Sequence, residues 1–80
     1  VNRVVPEGGV AAAGFEIAER IASGAPLVNR WHKKFIRRLA DPTPLSDAER
    51  IEALEAFGTA DYREGRTAFL EKRGPDFRGE

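Results

Sequence analysis

The stretch Thr59-Ala60-Asp61-Tyr62-Arg63-Glu64-Gly65-Arg66-Thr67-Ala68-Phe69-Leu70-Glu71-Lys72-Arg73-Gly74-Pro75 reads as one helix with both ends marked. Thr59 is a good N-cap, since its hydroxyl can accept from an amide that the first turn leaves unpaired. Asp61 and Glu64 lie early enough to favour the positive end of the helix dipole. Tyr62, Gly65, Phe69 and Lys72 share one side. Gly74 and Pro75 end the pattern.

Working back toward the start, the same periodicity recurs three times. Ser46 with Glu49 forms a capping box for a helix whose apolar face is Ile51, Leu54 and Phe57, with Gly58 as its stop. Pro26 suits the first turn of an earlier helix, where its missing amide hydrogen is no loss. Leu27, Val28, Trp31, Phe35 and Leu39 make its apolar stripe, and Arg30, Lys33, Lys34, Arg37 and Arg38 occupy the neighbouring face. That helix must close before Asp41-Pro42-Thr43-Pro44, because proline disfavours helical geometry at the residue before it. Earlier still, Val10, Ala13, Gly14, Ile17, Ala18 and Ile21 recur at spacings of three and four. Gly14 in that interior suggests another backbone passing close by. Only Val1, Val4 and Val5 suit extended backbone, which Pro6 and Glu7-Gly8-Gly9 break, and no second segment offers that strand a partner. The fold class expected is therefore mainly α, with one short N-terminal extended segment and about four helices.

Eighty residues with no net formal charge, one His and no Cys bound the chemistry tightly. A chain this short buries only about 60% of its unfolded surface, so a larger partner surface is expected. Without Cys, and with His32 alone, neither a disulfide framework nor a metal cluster is expected. No apolar run approaches the roughly 20 residues of a membrane span, and the start lacks a signal-peptide pattern, so a soluble, cytoplasmic protein is expected. The absence of any Met suggests that these residues belong to something longer.

Candidate chemistry is sparse. Asp61 and Glu64 could meet as an acid/base pair, but capping and dipole effects already account for acids in a first turn. His32, beside Trp31 and Phe35, has nothing near it in sequence to orient its ring, which favours packing or surface exposure over catalysis. The basic helix could contact phosphates, although Glu49, Glu52 and Glu55 are placed to neutralise part of it if the helices pack antiparallel. Gly8 and Gly9 lack the Lys and Ser/Thr of a phosphate loop.

The block Thr59, Asp61, Glu64, Gly65, Ala68, Phe69, Lys72, Arg73, Pro75 and Phe77 resembles the C-terminal signature of the enoyl-CoA hydratase/isomerase (crotonase) family. Val1, Asn2, Val4, Val5 and Pro6, the Ala18-Ile21-Ala22 helix, and Pro26 with Lys33 extend the likeness over the whole chain. It departs at Arg66, where the family usually has an aliphatic residue, and in the lengthened loop from Asp41 to Leu45. The resemblance implies a ββα-spiral fold of which only the C-terminal helical region lies here. Residues 1–9 would be an extended link from the catalytic core, and 10–80 the helical assembly and CoA-covering region. It implies an enzyme of acyl-CoA and fatty acid metabolism, with hydration of a 2-enoyl-CoA the leading reaction, a coenzyme A thioester as substrate and no cofactor. A homotrimer or dimer of trimers is the implied assembly. No catalytic residue falls within these residues on that reading, and the fragment alone is expected to be inactive. Lys72 matches a lysine that contacts the nucleotide end of CoA in some relatives, so it is the one candidate binding residue. The alternative from a different class is a free-standing helical module that binds an acidic partner or nucleic acid through the basic helix, which the balanced net charge disfavours.

Overall fold

The structure, a computed structural model, describes residues 1–80. Four helices follow one another: α1 (Val10–Ala22), α2 (Pro26–Leu39), α3 (Asp47–Leu54) and α4 (Ala60–Glu71), with 3₁₀ turns at Glu7–Gly9 and Glu55–Gly58. No strand forms, and the first six residues carry no regular secondary structure. The mainly helical class read from the sequence is the one observed.

Local chemistry fixes the helix starts. The Ser46 hydroxyl accepts the Glu49 amide at 3.2 Å while the Glu49 carboxylate accepts the Ser46 amide at 2.7 Å, so the capping box closes in both directions. Thr59 accepts the Tyr62 amide at 3.0 Å and donates its hydroxyl to the Ala56 carbonyl at 2.7 Å. Pro26 opens α2 at its first turn. Helix α3 stops at Leu54 rather than running to Gly58, and Phe57 belongs to the 3₁₀ turn, edge-on to Tyr62 with ring centroids 5.1 Å apart. Nothing comes within 4 Å of a Cβ built at Gly14, so the close backbone expected there is absent from this chain.

Packing between the helices is slight. The antiparallel pair α2 and α3 is tied by charge: Arg38 pairs with Glu49 and also donates to the Thr43 and Pro44 carbonyls at 3.2 Å each, and Lys34 pairs with Glu52. Only Ala68 and Asp61 are buried. The Cα radius of gyration is 16.3 Å, against about 12 Å for a compact domain of this length. The elements spread over 48 × 40 × 17 Å, a plate one to two helices thick with large apolar side chains exposed. Phe15 (74% exposed), Ile36 (72%) and Phe69 (82%) are the clearest cases.

Candidate functional site

Helix α4 and the residues beyond it form the most highly constrained part of the molecule. After Glu71 the chain reverses, and residues 74–80 run back along α4 as a strap. Asp61, only 3% exposed, holds the far end: its two carboxylate oxygens accept the Arg78 and Gly79 amides at 2.8 Å each. The Asp61 amide in turn donates to the Glu80 carbonyl at 2.9 Å. One turn along, Glu64 accepts the Asp76 amide at 2.9 Å and both terminal nitrogens of Arg73, at 2.6 and 3.1 Å. Between these ties Phe77 lies across Gly65, where a Cβ would stand 3.2 Å from its ring. Glycine at 65 is thus explained by a close approach, and Gly79, at φ 76°, by the turn that aims its amide at Asp61.

The Arg73 hydrogen bonds, followed by the Asp76 amide, lower the Glu64 carboxyl from its ordinary 4.5 to about 2. A carboxylate depressed on folding stabilises the fold above its unfolded value and loses that contribution as pH falls through its folded value. The strap should therefore loosen between pH 4.5 and about 2. Hydrogen exchange of residues 74–80, corrected for its intrinsic pH dependence, is expected to accelerate in that window, and unchanged protection down to its lower edge would contradict the geometry.

Helix α4 does not end where Gly74 and Pro75 suggest. The Lys72 amide bonds the Phe69 carbonyl at 3.2 Å and the Arg73 amide bonds the Ala68 carbonyl at 3.0 Å, the paired closure of a Schellman motif. Lys72 occupies the left-handed position of that motif, at φ 56° and ψ 39°, and is the only non-glycine residue with positive φ. It is exposed and makes neither an ion pair nor a side-chain hydrogen bond. Phe69, three residues earlier on the same helix end, is largely in solvent. A cleft of about 390 Å³ opens beside it, lined chiefly by Val28, Ala56, Tyr62, Gly65, Phe69 and Phe77.

The other candidates resolve more simply. Asp61 and Glu64 do share a neighbourhood, yet their oxygens are taken up by the strap, so they act as structural acceptors. His32 is exposed and unbonded. On the basic helix, Lys34 and Arg38 are neutralised by Glu52 and Glu49, as the antiparallel arrangement requires, leaving Arg30, Lys33 and Arg37 without ion pairs. No group of His, Cys, Asp and Glu is arranged to hold a metal, and no helix is long and apolar enough to cross a membrane.

The architecture defines a helical plate whose last helix is fastened by its own C-terminal strap and whose remaining apolar faces are open. A solved enoyl-CoA hydratase/carnitine racemase from Magnetospirillum magneticum contains this architecture: the match covers the whole chain and 30% of that protein, with a TM-score of 0.94 and 54% identity. Among curated proteins, enoyl-CoA hydratase EchA19 of Mycobacterium tuberculosis is 31% identical over 80 residues, covering 96% of this chain and 30% of the relative. A Thermus thermophilus relative is 36% identical over 80 residues, covering 96% of this chain and 31% of its own length. No family model matches. The chain is similar to enoyl-CoA hydratase/isomerase (crotonase) proteins over their helical C-terminal region. It spans under a third of the length of the curated relatives it matches.

Proposed function

We propose that these residues are the C-terminal part of an acyl-CoA-binding enzyme that hydrates 2-enoyl-CoA, and that they serve its assembly and the coverage of its CoA site. The observation that carries this reading is the open apolar surface of a chain with only two buried residues, since such helix faces require another surface to cover them. In that arrangement residues 1–9 link to the catalytic core and residues 10–80 form the helical region. The core would supply the backbone donors that stabilise a thioester enolate, together with the carboxylates that handle water. That the two curated relatives carry the name enoyl-CoA hydratase supports the reaction class.

Within this function Lys72 takes the nucleotide end of CoA. A lysine in the left-handed region carries a steric cost of about 1 kcal/mol that glycine would avoid, and its ammonium is free, which is consistent with a side chain retained for what it contacts. Activity of the complete gene product on a 2-enoyl-CoA ester, and its absence without the upstream core, tests the overall reading. For Lys72, the substitution Lys72→Ala is expected to raise KM a few-fold, about 1 kcal/mol or less for an exposed pair, with kcat nearly unchanged. The effect should shrink with salt and vanish for a pantetheine ester that lacks the nucleotide. Lys72→Gly separates binding from stability: it should raise KM equally while melting no lower than the parent, because glycine relieves the left-handed backbone. Equal responses of CoA and pantetheine esters would refute the contact.

A further inference from the structure

Lys72 is free in a neighbourhood that contains carboxylates, and the reason lies in its neighbour. The Arg73 guanidinium binds Glu71 through Nε at 2.7 Å and Glu64 through both terminal nitrogens, and also donates to the Gly74 carbonyl at 3.2 Å. One planar group thus occupies the carboxylate immediately before Lys72 and ties the residue immediately after it to the body of α4. A non-glycine residue persists in the left-handed region only where its surroundings over-determine it. Here the surroundings are the Schellman pair on one side and the Arg73 brace on the other.

We propose that Glu64 and Glu71, acting through Arg73, are positioning residues that fix the direction of the Lys72 side chain and keep its ammonium unneutralised for an anionic ligand. The ligand class is a phosphorylated nucleotide, here the nucleotide end of the CoA ester, so the inference rests on the reading of Lys72 given above. The planar fork suits this task, because a lysine in place of Arg73 has a single nitrogen and cannot grip Glu64 through two nitrogens while a third reaches Glu71. Glu64 therefore has two linked duties, since the oxygen that binds Arg73 also accepts the Asp76 amide of the strap.

The test uses the complete gene product with a 2-enoyl-CoA ester and the matching pantetheine ester, and the variants Lys72→Ala, Arg73→Lys, Glu64→Gln and the double variant Lys72→Ala/Arg73→Lys. Arg73→Lys and Glu64→Gln are expected to raise KM for the CoA ester about three-fold, leaving kcat and the pantetheine ester unaltered. The double variant should be no worse than Lys72→Ala alone, because a positioning residue has nothing left to position. Additive effects in the double variant would mean that Arg73 touches the ligand itself, which overturns the proposal. Equal losses on both esters would reduce the brace to general stability and overturn it too. If Lys72→Ala discriminates the esters and neither brace variant does, the inference alone fails. If Lys72→Ala itself does not discriminate them, the nucleotide reading fails and takes the inference with it.

Discussion

Asp61→Ala is expected to release the C-terminal strap, and to cost more than any other single polar substitution in the chain. The carboxylate is nearly inaccessible and both of its oxygens accept backbone amides from residues 17 and 18 positions away. Hydrogen bonds to a charged acceptor contribute about 1.5 to 3 kcal/mol each, so losing two costs about 3 kcal/mol at the lower end. Asp61→Asn keeps one acceptor and removes the charge, and should fall between. The readout is hydrogen exchange at the Arg78 and Gly79 amides of the complete gene product, where about 3 kcal/mol corresponds to more than a 100-fold increase in opening. Tryptic cleavage after Arg73 should accelerate in parallel. Unaltered protection of both amides in Asp61→Ala would show that Phe77 on Gly65 and the Arg73–Glu64 pair hold the strap unaided.

That role was only half legible in the sequence. Thr59, Ser46 with Glu49, and Pro26 are local signals: the first two act on amides three residues away, Pro26 through its own missing amide hydrogen, and each does in the structure what its spacing predicts. Asp61 sits in the first turn of α4, where an acid is expected anyway, and Glu64 lies just beyond it, which concealed partners 9 to 18 residues further on. Two glycines carried the missing information. Gly65 inside a helix otherwise rich in side chains marks the close approach of Phe77, and Gly79 marks a turn in what reads as a featureless tail. The same argument applied to Gly14 finds no neighbour within the chain, so a helical glycine points to close approach without saying from which surface. The end of α4 departs from the sequence expectation for a related reason. Gly74-Pro75 is the customary punctuation, but the Schellman carbonyls select the residue two positions earlier and place a lysine in the left-handed region.

The expected behaviour of residues 1–80 on their own follows from area. A compact folded protein of 8.8 kDa exposes about 4,800 Å², whereas this chain exposes 6806 Å². The excess, about 2,000 Å², is as much as a stable protein–protein interface commonly buries over both partners. Little inside the chain offers compensation, because the strap fastens α4 alone, and the other helices are held by their own hydrogen bonds and a few ion pairs of the kind that contribute about 0–1 kcal/mol each when exposed. Residues 1–80 alone should therefore lack a sharp cooperative unfolding transition, should self-associate as concentration rises, and should not turn over an acyl-CoA ester. The same reasoning reverses the expected weight of Phe69 and Leu54 with context. Both are more than 60% exposed here, so Phe69→Ala and Leu54→Ala should scarcely alter the isolated chain. In the complete gene product a covered Phe69 would cost about 3 kcal/mol or more on truncation, with weakened assembly. A monomeric 80-residue chain that melts cooperatively would show that the plate needs no further surface, and unchanged melting and solution mass of Phe69→Ala in the complete product would show that this face stays open. Catalysis by residues 1–80 alone would overturn the assignment of the chemistry to a separate core.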